Sequence, residues 1–155
     1  MTKITGIITP KYSALILSFS SCEKINTRSI DTIGYGSSFG MCVGYCNHSL
    51  SISENKVTFV KKANSQTSPD TKTCSSTLAA DEAKVFKDLM EDSKIAALPK
   101  TIGCPDCADG GAEWVSVTTG SKEYKVVFEY GKEPKELKAI VKKLRALSET
   151  FNNCN

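Results

Sequence analysis

The sequence predicts an α+β fold: a single domain whose antiparallel sheet comes from two β-hairpins, with two helices packed on one face, in the order ββαββα. Three observations carry this. Two stretches, "SLSISENKVTF" and "EWVSVTTGSKEYKVVFEY", alternate apolar and polar residues around short polar turns. Two others repeat apolar residues at helical spacing. The length, 155 residues, suits one domain with one ordinary core.

The elements follow in order. Ile30 and Ile33 open a first strand, and "GYGSSFG" (34–40) breaks it as a glycine- and serine-rich turn. "MCVGYCNHSLSI" (41–52) and "KVTFVKK" (56–62) form the first hairpin around "SEN". "ANSQTSPDTK" (63–72) is a polar loop. The first helix starts near Leu78 or Asp81 and runs to Asp92, with Val85, Phe86, Leu89 and Met90 on its apolar side. Asp81 and Glu82 suit its positive N-terminal end. "KIAALPKTIGCPDCADGGA" (94–112) reads mostly as loop. "EWVSVTT" (113–119) and "EYKVVFEY" (123–130) form the second hairpin, with Val115 and Val117 sharing a face on one strand and Tyr124, Val126 and Phe128 on the other. Pro134 suits the first turn of the last helix. Leu137, Ile140, Val141, Leu144 and Leu147 give that helix one apolar stripe.

The N-terminus decides the expected compartment. Lys3 and Lys11 precede the apolar "YSALILSF", and Phe19-Ser20-Ser21 leads into Cys22. This is the layout of a secretion signal and resembles a lipoprotein-type signal over residues 1–21, with Cys22 as the lipidated first residue of the mature chain; another secretory signal, or the first buried strand of a cytosolic domain, is the alternative. Residues 22–28 then form a tether and 29–155 the domain. The expected place is a bacterial cell envelope, anchored to a membrane and facing the periplasm or the outside. The formal net charge of +3 gives no electrostatic footprint for nucleic acid.

The cysteines divide three ways. Cys104 and Cys107 form a Cys-x-x-Cys pair. No helix N-terminus follows it, and Asp106, Asp109 and Glu113 surround it, which disfavours a reactive thiolate. A zinc site would need Cys104 and Cys107 joined by Cys42, Cys46 or His48. On a strand, Cys42 and Cys46 would stand about 13 Å apart, too far for one ion unless the chain turns at Gly44. Structural disulfides are the preferred reading, with no metal and no cofactor, a zinc or thiol-redox protein using Cys104 and Cys107 being the alternative. Their candidates are Cys42, Cys46, Cys74, Cys104, Cys107 and Cys154. Strand spacing sends Cys42 and Cys46 to distant partners, with Cys74 suited to one of them. Cys104 and Cys107 can close a tight loop, and Cys154 takes the remaining partner or stays free.

Other groups carry less. Asp106, Asp109 and Glu113 match no Ca²⁺ loop spacing and read as solvated turn residues. His48 is the single histidine, and no nucleophile-elbow motif accompanies it. Lys135, Lys138, Lys142, Lys143 and Arg145 read as the solvated face of the last helix. Trp114, Tyr124 and Phe128 read as core or cross-strand pairs rather than a ligand platform. The thin acid–base inventory favours a binding or interaction module over an enzyme.

With Gly40, Cys42 and Tyr45 after a glycine loop, and Pro134 and Leu137 opening the final helix, the chain resembles small bacterial lipoproteins that carry an uncharacterised ββαββα domain. It has Val43 where that family usually has proline. The resemblance implies fold and location and no activity. The partners expected are a membrane, through the lipid anchor, and an unidentified protein or small ligand.

Overall fold

The computed structural model describes residues 25–64 and 70–155. The signal at 1–21 and the lipidation site Cys22 lie outside the described residues. Seven strands form one sheet: β1 (Thr32–Ser38), β2 (Asn47–Ser53), β3 (Lys56–Lys62), β4 (Lys72–Thr77), β5 (Thr101–Ile102), β6 (Ala112–Thr119) and β7 (Lys122–Glu129). The spatial order is β4-β3-β2-β1-β6-β7-β5. All pairs are antiparallel except β5 with β7, so the sheet is mixed. Two helices, α1 (Ala80–Asp92) and α2 (Lys138–Glu149), complete an α+β domain.

The expected ββαββα sheet of two hairpins is therefore corrected. Both hairpins are present, as β2–β3 and β6–β7, but they are joined through a central strand and extended at both edges. The central strand β1 runs through "TIGYGSS", the stretch expected to be a turn. Its glycines are on the face away from the helices, and Ile33 and Tyr35 on the other face enter the core. At Gly36 a Cβ would stand 2.6 Å from the Trp114 ring and 2.6 Å from the His48 carbonyl. Glycine here clears room for a side chain from β6 rather than bending the chain. Strand β4, "KTCSST", shows no apolar alternation because it is a mostly exposed edge strand. Strand β5 has two residues, too few for a periodic signal.

The core lies between one sheet face and the two helices. Ile33, Leu50, Val57, Val115, Val117, Val126 and Phe128 come from the sheet. Phe86 and Met90 of α1, and Ile140, Val141 and Leu144 of α2, meet them. The apolar stripe expected on the last helix is what it buries, with Leu147 partly covered. Ile25 and Ile30 are also in this core, so the described part of residues 22–28 packs on the domain.

Three disulfides staple the domain. Cys74 on β4 joins Cys154 across 80 positions of chain, with Cα atoms 5.9 Å apart. Cys104 and Cys107 close a loop, with Cα atoms 5.5 Å apart. Cys42 and Cys46 also bridge each other, with Cα atoms 5.7 Å apart. The distant partners expected for Cys42 and Cys46 are thus corrected. The segment is a loop ending before β2, and Gly44, at φ +89°, folds it back on itself. Bridges of this density are compatible with a disulfide-stabilised extracellular module, since they persist in an oxidising compartment.

Candidate functional site

The strand registers gather the loops at two ends. Ser38, Asn47, Lys62, Ala112 and Glu129 mark one end of the sheet. Here stand the Cys42–Cys46 loop, the Cys104–Cys107 loop and the turn after β7. The chain comes in at the opposite end, where Asp31 N–H donates to the Thr118 carbonyl and Gly120 N–H to the Asp31 carboxylate.

The two disulfide loops touch. Gly40 N–H donates to Asp106 Oδ1 at 3.3 Å. Phe39 packs on Tyr130, with ring centroids 4.8 Å apart. Asn64 Nδ2 donates to the Phe39 and Gly40 carbonyls at 2.8 and 3.0 Å. Glu129 Oε1 accepts the Cys104 N–H at 3.1 Å. The bond from Lys132, and then the one from Cys104, hold the Glu129 carboxyl below its ordinary range. The Cys42–Cys46 loop exposes two apolar residues, Met41 at 78 % and Val43 at 104 %.

On the helix side, one row of cross-strand neighbours differs from the core rows behind it. Glu113, Ser37, His48 and Lys61 face one another in turn across β6, β1, β2 and β3. The next row inward is Val115, Tyr35, Leu50 and Phe59. The change from apolar to polar marks where the core stops. Above it opens a cleft of about 300 Å³, lined by His48, Lys61, Tyr45, Tyr130, Arg145 and Asn152 among others.

Its floor is a buried ionic network. Glu113, 0 % exposed, accepts from Tyr35 Oη at 2.5 Å, Arg145 Nε at 3.1 Å, Arg145 Nη at 2.8 Å and Gly131 N–H at 2.9 Å. The same Arg145 Nη reaches Glu133 at 3.0 Å. Four donors on one carboxylate are what a charge needs to survive burial. Burial, and then the Glu113 carboxylate, push the Tyr35 hydroxyl well above the ordinary tyrosine range. The bonds to Glu113 raise the already high Arg145 guanidinium further. Burial works to raise the Glu133 carboxyl, but its backbone N–H and Arg145 outweigh it and hold it low. Burial, then the Lys61 ammonium, lower the His48 imidazole below its ordinary 6.5.

The sequence-derived candidates separate accordingly. Glu113 turns inward, while Asp106 and Asp109 are exposed on the loop, so the three carboxylates do not converge. Cys42, Cys46, Cys104 and Cys107 are tied up in two bridges, and His48 faces the cleft. Among the described residues, no three His, Cys, Asp or Glu side chains form a metal-holding group. Arg145, read as part of a solvated basic face, points into the network instead. Tyr35, Glu133 and Arg145 went unrecognised. A faint signal existed for Glu113, which continues the inward alternation of Val117 and Val115.

No protein-family model matches the chain, and no curated protein matches it either. Site geometry therefore carries the functional reading by itself.

Proposed function

We propose that this is an exported domain, lipid-anchored to a bacterial membrane through Cys22, that binds a ligand or partner at its disulfide-looped end. The observation that carries the reading is the pair of touching disulfide loops beside a polar cleft, at the end of the sheet opposite the incoming chain. Only residues 23 and 24 separate Cys22 from the buried Ile25. At under about 3.6 Å per residue, that is a reach of roughly 11 Å, so the incoming end sits against the membrane. The seven residues of β1 then carry the loops about 20 Å outward. Short bridges hold the loops in one shape, which reduces the ordering cost of binding. Exposed Met41, Val43 and Tyr130 supply apolar contact beside the polar cleft.

Detergent-phase partitioning tests the anchor. The full chain, expressed in a bacterium that processes lipoproteins, should enter the detergent phase, and Cys22→Ala should move it to the aqueous phase. Equal partitioning of both would end the anchored reading.

A further inference from the structure

The polar cleft holds a row of basic side chains that the fold leaves without countercharge. Lys61 of β3 stands directly opposite His48 of β2 on one side and Lys72 of β4 on the other. Lys61 alternates with Phe59 and Lys72 with Cys74, so the row is on the helix face. Like charges opposite one another on a sheet repel. Among the described residues, no carboxylate forms an ion pair with Lys61 or Lys72. The Lys61 ammonium instead stands 4.6 Å from the Tyr45 ring centroid. His48, held below its ordinary 6.5 first by burial and then by Lys61, is neutral near pH 7 and offers one N–H. Arg145 is engaged by Glu113 and Glu133. Glu113 lies two strands from His48 and three from Lys61, about 10 and 14 Å at roughly 4.8 Å per strand. Glu149, exposed at the end of α2, stands on the helix side of the cleft. Beside the basic row, the buried rings of Phe59 and Phe151 stack with centroids 5.2 Å apart and give the cleft an apolar wall.

We infer that the cleft binds a small carboxylic acid with an apolar body, its carboxylate taken by Lys61 and His48 and its body laid against Phe59 and Phe151. Directly opposed residues on one sheet face have Cβ atoms about 4.5–5.5 Å apart, so both side chains reach one acid group. The bond from Lys61 is charge-assisted, and Lys72 beside it adds to the positive field. Glu113 and Glu133 outweigh Arg145 by one charge, and Glu149 adds another, so the acid group sits at the β3 side of the cleft, away from them. The volume of about 300 Å³ is at the small end for ligand sites, which selects a small molecule over a polymer. An inorganic anion would meet the basic row and make no use of the rings. The inference rests on the reading that the looped end of the domain is the binding end. Partitioning of Cys22→Ala reads the anchor alone and the experiment below reads the cleft alone, so the two can fail independently.

The experiment is titration of the full, oxidised, untagged chain with 3-phenylpropionate, followed by proton NMR of the imidazole. His48 is the single histidine, so the signal reports on this cleft alone. The pH is held at about 7.5, above the His48 range. 3-Phenylpropionamide serves as the neutral comparison, and acetate and inorganic phosphate as anions without an apolar body. 3-Phenylpropionate should give a saturable shift with Kd below about 1 mM. The amide, acetate and phosphate should each bind at least about tenfold more weakly. Lys61→Gln should weaken 3-phenylpropionate by about tenfold or more. Lys61→Met, which keeps the apolar stem over Tyr45, should do the same, and circular dichroism checks that each variant keeps the wild-type fold. Equal binding of the amide, undiminished binding to a folded Lys61 variant, or no saturable response would overturn the inference. Phosphate or acetate binding as tightly as 3-phenylpropionate would overturn it in favour of an adventitious ion only.

Discussion

Arg145→Met tests whether the floor of the cleft is held by charge. It removes the two N–H groups that bind Glu113 and the contact to Glu133, but keeps a long apolar stem. Glu113 retains Tyr35 and Gly131 as donors and loses its countercharge. Removing one partner of a buried pair costs about 3–5 kcal/mol. The Arg145 side chain is 30 % exposed, so water reaches part of the gap. The lower end, about 3 kcal/mol, is therefore expected. For a domain of this size that lowers Tm by roughly 10–15 °C. The double variant Glu113→Gln/Arg145→Met removes the stranded charge and keeps an acceptor for Tyr35. It should recover about 2 kcal/mol of the loss. Urea unfolding gives the answer, from midpoints at unchanged slope. A double variant no more stable than Arg145→Met would refute the reasoning, because the penalty would then not come from an unpaired buried carboxylate.

Three further outcomes follow from the same structure. Replacing Cys74 and Cys154 by serine opens a closed loop of 80 positions and should cost about 4–5 kcal/mol in the chain-entropy picture, against about 2 kcal/mol for the Cys42–Cys46 pair, by urea unfolding. Tyr35 has its folded-state pKa raised, so the stability it contributes is complete below the unfolded tyrosine value and is lost as pH rises past it. Alkaline titration at 295 nm should leave one of the five tyrosines protonated until unfolding, and Tyr35→Phe should abolish that lag. His48 has its pKa lowered, so its contribution is present above pH 6.5 and is lost as pH falls through the folded value. Its NMR titration midpoint should lie below 6.5 and rise in Lys61→Gln; a midpoint unmoved by that change would remove Lys61 as a cause.

Periodicity made part of this fold legible and hid the rest for physical reasons. Strands β3 and β7 and helix α2 each bury mainly one face, so alternation or a stripe marks them. Strand β1 buries both faces, one against the helices and one under Trp114, and the glycines that make room for the ring imitate a turn. Edge strand β4 has little to bury and left no pattern. The Cys42–Cys46 bridge was excluded by strand spacing, which does not apply once Gly44 folds the segment into a loop. The ionic floor was harder still. Glu113 and Arg145 lie 32 positions apart, and a single sequence does not pair them. Arg145 also sits among the three lysines of α2, where one half-buried cation looks like its solvated neighbours.

The central claim is that the chain is exported, anchored at Cys22 and stapled by three bridges, and the intact mass tests it most directly. Protein from the membrane fraction of its native host would be weighed under non-reducing conditions, and again after reduction. The account predicts a chain beginning at Cys22 and carrying acyl groups, gaining about 2 Da per bridge on reduction, about 6 Da in all. A full-length, unlipidated chain with no gain on reduction would contradict it.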